Sequence, residues 1–319
     1  MLKKTLLLII FIVSLYAESF EIKNITFVTE NDADFREDND YTYGSELSVL
    51  FYRKDINNSF LHIPFTDYKN QDNYISISYA QQIYTPFDLE SPDIIVDDRP
   101  YAGFSYLKSG LYQSYNNNLK TLVLQIGIVG PSSKMRTVQK SIHSLVGSID
   151  PLGWNHQIQD EFILQLNYSH KQYIEISKNI AVIPEYGVEL GNASTKVYAI
   201  GLFRWGNYLP KDYGSCQIDN TNYNKIPLKA QTKYKNKLGY VLNLSLKTNL
   251  VIHDIFLDGN SFKNSHSVDK NSFVAEIGYG FSINYGKFSI DYLRKHLSHQ
   301  FKTQDRFHSY GSLIFSYNF

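Results

Sequence analysis

The sequence predicts an all-β protein: a single antiparallel transmembrane β-barrel of twelve strands, with one short helix inserted in an outer loop. Three observations lead there. Strict two-residue alternation of apolar and polar side chains recurs over long segments. Aromatic residues make up 15% of the chain, with 26 Tyr and 20 Phe. One stretch, Gly130 to Trp154, carries helical spacing in a chain that otherwise reads as strand.

Alternation is clearest in the C-terminal half. Phe273, Ala275, Ile277, Tyr279, Phe281 and Ile283 share one face, and Glu276, Gly278, Gly280, Ser282 and Asn284 the other. Leu238, Tyr240, Leu242, Leu244 and Leu246 alternate with Gly239, Asn243, Ser245 and Lys247, Val241 being the one exception, and Phe162, Leu164, Leu166 and Tyr168 with Gln165, Asn167 and Ser169. The last segment sets Leu313, Phe315, Tyr317 and Phe319 against Ser312, Ser316 and Asn318. Such runs have the ~9–11 residues that a tilted strand needs to cross hydrocarbon, whereas soluble strands are usually about half as long. A terminal aromatic is also typical of bacterial outer-membrane barrels, and the tyrosines suit aromatic girdles at the lipid–water boundary.

The segments fall near 20–30, 43–53, 72–84, 101–115, 119–130, 158–172, 177–191, 196–206, 237–257, 267–284, 287–302 and 306–319. That is an even number, as a single-chain bacterial barrel requires. Short polar turns such as Asn116-Asn117-Asn118 separate some strands, and the longest connection, 207–236, reads as an ordered or partly mobile loop carrying Cys216. With an N-terminus on the inner side, connections after odd-numbered strands share the outer rim. Glu30–Tyr43, Tyr84–Pro100 and Gly130–Gln157 then converge there, where loops on a rigid frame can carry chemistry.

Residues 1–17 read as a secretory signal peptide: Lys3 and Lys4 precede an apolar run, and Ala17 ends it before Glu18. Residues 18–319 form the barrel. The single cysteine excludes an intramolecular disulfide. Thirty-one basic residues balance thirty-one acidic ones, which is no nucleic-acid footprint. No His-Glu-x-x-His or Gly-x-Ser-x-Gly motif occurs, which argues against a zinc protease and an α/β-hydrolase.

Within the helical stretch, Val138, Ile142, Leu145 and Val146 form an apolar stripe, with Gly147 as a stop and Pro151 beyond. Gln139 and His143, four apart, stack on one face. A hydrogen-bonding amide beside an imidazole suggests a built site. Upstream, six carboxylates between Glu30 and Asp40 offer the hard oxygen ligands that Ca²⁺ prefers, without EF-hand spacing. The other eight histidines lie in loops or on strands with no ligand spacing.

Several short motifs occur in order: Asn31-Asp32, Asp40-Tyr41-Thr42-x-Gly44, Gln82-Ile83-Tyr84-Thr85-Pro86, Asp98-Arg99-Pro100-Tyr101-Ala102, Gly127-x-x-Gly130-Pro131, Gln139-x-x-x-His143 and Trp154-x-x-Gln157-Ile158. The series resembles the lipid A 3′-O-deacylase (LpxR) family of outer-membrane enzymes. The resemblance implies a twelve-stranded barrel whose site lies between the wall and an inserted outer helix. It implies hydrolysis of the 3′-linked acyl (acyloxyacyl) ester of lipid A. His143 would be the general base and Ca²⁺, held partly by Asp32, the oxyanion stabiliser; Asn31, Thr42 and Gln139 would orient water, metal or imidazole. The expected partners are lipid A or lipopolysaccharide as substrate and outer-membrane lipid, with no nucleic acid and no obligate protein partner. Lys134, Arg136 and Lys140 are candidates for meeting lipid A phosphates.

Two positions depart from the family pattern. Where relatives place a glutamate after the helix, this chain has Ile149 followed by Asp150; where some carry a lysine after the Tyr-Thr-Pro segment, it has Asp88 and Glu90. The alternatives are a porin-like or structural barrel that has lost turnover, and a barrel hydrolase acting on phospholipid.

Overall fold

A computed structural model describes residues 20–32, 40–53, 63, 71–215, 218, 225–229 and 236–319. The signal-peptide segment, Cys216 and the acidic residues Asp34, Glu37 and Asp38 lie outside the described residues. Thirteen strands follow in chain order: β1 (Phe20–Asn31), β2 (Asp40–Arg53), β3 (Asp72–Thr85), β4 (Ala102–Tyr115), β5 (Asn118–Val129), β6 (Glu161–Gln172), β7 (Ile174–Ser177), β8 (Ile180–Gly191), β9 (Ser194–Asn207), β10 (Leu238–Asp254), β11 (Phe273–Tyr285), β12 (Phe288–Leu297) and β13 (His308–Asn318). Helix α1 (Met135–Val146) lies between β5 and β6, and the single turn α2 (Ile255–Asp258) follows β10.

Every strand pairs antiparallel with its neighbours, β1 pairs with β13, and β6 pairs with β8, so the sheet closes on itself. Closure matters in lipid because no edge N–H or C=O is left without a partner. β6 and β7 both pair with β8 and form one stave, interrupted where Tyr173 turns into the core. The result is the expected twelve staves. The stave predicted over 267–284 begins at Phe273, and the one over 237–257 ends in α2.

The alternation sorts side chains as predicted. Leu47, Ile77, Leu107, Leu164, Leu246 and Phe273 are exposed on the outer wall, while Ser48, Ser76, Lys108, Gln165, Lys247 and Val274 are buried. The interior is polar and charged, and its charges are paired. Lys108 Nζ stands 2.6 Å from Glu46, Lys171 Nζ 3.0 Å from Glu185, and Lys295 Nζ 3.2 Å from Glu276. Pairing is obligatory there, since a lone buried charge is costly.

The described parts of the long β9–β10 connection fold into the barrel. Leu209, Tyr213 and Ile226 pack with Leu50, Tyr74 and Tyr112 in one core cluster. Lys225 Nζ stands 2.6 Å from Asp291, Arg204 Nη1 2.7 Å from Asp212, and the Ile218 amide donates to Glu30. This connection leaves the rim opposite α1, so the interior is filled from the inner side. That filling opposes a porin-like reading: the protein reconstituted in a planar bilayer should give no steady ion conductance, and stable open steps would contradict a filled interior.

Candidate active site on the outer wall

Four residues align across β1, β2, β3 and β4: Asn31 pairs with Tyr43, Tyr43 with Ile83, and Ile83 with Gly103. They share the outward phase of Phe27, Leu47, Ile77 and Leu107, which are exposed on the lipid-facing wall. At about 4.8 Å per strand the row is about 14 Å long. Helix α1 packs on this outward surface rather than inside the barrel. A Cβ at Gly103 would stand 2.5 Å from Met135 Cβ, so glycine is what admits the helix to the wall. The Ser105 hydroxyl, also outward, donates to the Ser133 carbonyl at 2.9 Å.

The approach to α1 is set by Gly130 (φ 94) and Pro131, a short 3₁₀ turn over Pro131–Ser133, and Lys134 at φ 66. Met135, Gln139 and His143 are its buried residues, one per turn along a single face. That face is about 12 Å long from Met135 to His143. Met135 packs with Ile83, Leu89, Tyr101 and Trp154, and Tyr43 and Val138 pack against that cluster. The expectation that Gln139 and His143 share a face holds. The apolar stripe beside them is buried only in part: Leu145 and Val146 are 87% and 69% exposed.

Each polar member of the face is held from one side. Trp154 Nε1 donates to Gln139 Oε1 at 2.7 Å, leaving Gln139 Nε2 as a buried donor with no protein acceptor. Such a donor costs about 1–3 kcal/mol unless water or a ligand satisfies it. His143 Nδ1 meets the Ile149 carbonyl. A carbonyl only accepts, so Nδ1 carries the proton and Nε2 the lone pair. Gly147, at φ 74, makes the turn that returns Ile149 to the ring, and the Gly147 and Ser148 amides both donate to the His143 carbonyl.

At the other end of the row, the Asn31 amide donates to the Thr42 carbonyl at 3.1 Å, and Thr42 Oγ1 lies 2.6 Å from Thr85 Oγ1. Thr42 occupies a bulge between Tyr41 and Tyr43, a usual way to re-aim a side chain. Asp32 follows β1 in a bend and is buried. Asn31, Asp32, Thr42 and Thr85 thus bring only hard oxygen donors to one rim, the chemistry a Ca²⁺ ion selects. Among the described residues no group of three His, Cys, Asp or Glu could hold a metal by itself.

The acidic run divides on folding. Glu30 accepts from Tyr41 and Ser312, both at 2.8 Å, inside the barrel. Asp40 binds Arg99 Nε at 2.8 Å and Gln304 at 2.8 Å, tying the start of β2 to two outer loops. Neither is available as a ligand. Beside them, burial pushes the Asp98 carboxyl up from its ordinary range, opposed by the Phe87 and Arg99 amides that donate to it.

The family described as outer membrane protein LpxR matches residues 5–319. The chain belongs to that family. Among solved structures, LpxR from Salmonella typhimurium superposes with a TM-score of 0.72 at 20% identity, covering 93% of this chain and 100% of that one. It has the same barrel fold. The β domain of the Bordetella autotransporter BrkA aligns at TM-score 0.43 and 11% identity over 94% of this chain and 99% of its own. A search of curated protein sequences gave no significant match.

Within this LpxR-family barrel, Asp150 does not take over the missing glutamate's place: it is exposed and pairs with Lys140 at 3.0 Å. The main-chain carbonyl of Ile149 faces the imidazole instead. Arg136 is held by Asn155 at 2.9 Å, so two of the three basic side chains considered for phosphate already have protein partners. Sequence reasoning missed Thr85, although its Tyr-Thr-Pro motif was in view, and it missed the Ile149 carbonyl, which has no sequence signature. A Cβ at Gly147 would meet nothing within 4 Å, so substitution there acts through backbone conformation alone. Gly147→Val should therefore lower the Nδ1-protonated share of His143 in imidazole ¹⁵N spectra, while Gly147→Asn, which tolerates positive φ, preserves it. Identical spectra for both would remove Ile149 as the orienting group.

Proposed function

We propose that the protein hydrolyses the 3′-linked acyl (acyloxyacyl) ester of lipid A in the outer membrane. The observation that carries this reading is the placement of Gln139 and His143 between α1 and the lipid-facing wall. A base on that surface meets a substrate that resides in the bilayer. One facing the interior would meet solutes.

His143 Nε2 takes a proton from a water molecule whose oxygen attacks the ester carbonyl, a role suited to a ring nitrogen that carries a lone pair. The Ile149 carbonyl holds Nδ1–H and steadies the imidazolium that results. Collapse of the tetrahedral intermediate breaks the bond to the sugar oxygen, and His143 returns the proton to that oxygen. No acyl-enzyme forms. The unpartnered Gln139 Nε2 donates to the water or to the developing oxyanion, with Trp154 fixing the amide from behind. Asp32, with the oxygens of Asn31 and Thr42, would hold a Ca²⁺ ion, which supplies positive charge to the oxyanion. One carboxylate among neutral oxygens leaves several of the ~6–8 ligands that Ca²⁺ takes to water and substrate.

Mass spectrometry of lipid A from cells expressing the protein should show loss of the 3′ acyl group. His143→Ala should abolish that loss while the barrel remains folded and heat-modifiable. Unchanged lipid A with lysophospholipid accumulating would favour the phospholipase instead, and activity surviving His143→Ala would remove the assigned base. Asp32→Ala should raise the Ca²⁺ concentration needed for activity, and an unaltered metal requirement would take Asp32 out of the ligand set.

A further inference from the structure

The apolar stripe of α1 runs off the protein. At 100° per residue Val146 lies within about 20° of Met135, on the same side of the helix. Met135 is 1% exposed and Val146 69%. The difference therefore comes from what lies beneath each residue. Val138 and Ile142 are half-buried between them, and Leu145 is 87% exposed. The stripe continues past the Gly147 turn in Ile149 and Leu152, 53% and 44% exposed.

Such a surface facing water would be an anomaly, since contiguous exposed apolar patches mark an interaction site. Its neighbours identify the partner. The insertion leaves the wall at Gly130, two residues after Ile128, which pairs with Phe162; Ile126, the next outward residue below, pairs with Leu164. Phe162, Leu164 and Ile126 belong to the exposed apolar belt, at 62%, 53% and 42% exposure, and Leu107 on β4 continues it at 58%. The free end of α1 thus prolongs a surface whose occupant is hydrocarbon. Its polar partners suit an interfacial helix: Lys134 is exposed near the start, and Lys140 pairs with Asp150 across the turn.

We propose that Leu145, Val146, Ile149 and Leu152 lie among the acyl chains of the outer leaflet, so that the end of α1 is a wedge opening the space beside His143 to lipid from the side. Substrate then reaches the imidazole without leaving the membrane. The wedge itself is independent of the reaction; only lateral loading rests on the deacylase reading.

Spin labels placed one at a time at Leu145→Cys, Leu107→Cys and Lys134→Cys, each with Cys216→Ser, test the proposal. The protein is reconstituted in phosphatidylethanolamine/phosphatidylglycerol vesicles, and collisions with oxygen and with a water-soluble nickel chelate are measured. The ratio of oxygen to nickel accessibility at Leu145→Cys should match that at Leu107→Cys and exceed that at Lys134→Cys by about tenfold, because oxygen concentrates in the hydrocarbon layer that the belt marks. A ratio like that of Lys134→Cys would put the helix end in water and overturn the proposal. So would low accessibility to both reagents, which would mean that protein covers the patch. The measurement needs no turnover, so its failure is distinct from a failure of His143→Ala to abolish activity.

Discussion

Helix α1 can lie against the lipid-facing wall because β4 presents no side chain at Gly103, where Met135 comes too close for a Cβ. That approach sets Met135 over the Gly103 end of an aligned row whose other end is Asn31, and Gln139 and His143 follow Met135 on the same buried face. Trp154 and Tyr101, with ring centroids 5.2 Å apart, close the same packing from the far side. The site is therefore made of two rigid bodies in contact, a sheet surface and a helix. Only the turn at Gly147 adds a main-chain element to the chemistry.

The barrel interior serves a different end. Its ion pairs and the described parts of the re-entrant β9–β10 connection make a filled, bonded core with little resemblance to a pore. Glu30 links core and site: it receives the Ile218 amide, Tyr41 and Ser312 while standing beside Asn31 in β1. The Arg99–Asp40 pair does the same for the start of β2, with Arg99 also donating to Gln300 at 2.8 Å. Strands carrying Asn31 and Thr42 are thus fixed on their inner side by bonds that never touch the site.

Period-two alternation made the twelve staves legible, because a strand in lipid must keep one face apolar over its whole length. Helical spacing and a terminal glycine made α1 legible, and four-residue spacing put Gln139 and His143 together. Periodicity stops there. It says which residues share a face and leaves open onto which surface a loop folds. That α1 lies outside the barrel, and that Leu145 and Val146 extend beyond the wall while Met135 is buried by it, depends on where neighbouring strands end.

By itself the sequence determined the closed antiparallel barrel, the inserted helix and the residues able to do acid–base and oxygen-ligand chemistry. Those follow from patterns written in side-chain type. Tertiary structure decided that Glu30 and Asp40 turn away to hold the frame while Asp32 stays at the rim. It also decided that a main-chain carbonyl, in place of a glutamate, faces His143. Backbone oxygens are the same at every residue, so which one approaches an imidazole is fixed only by the path of the folded chain.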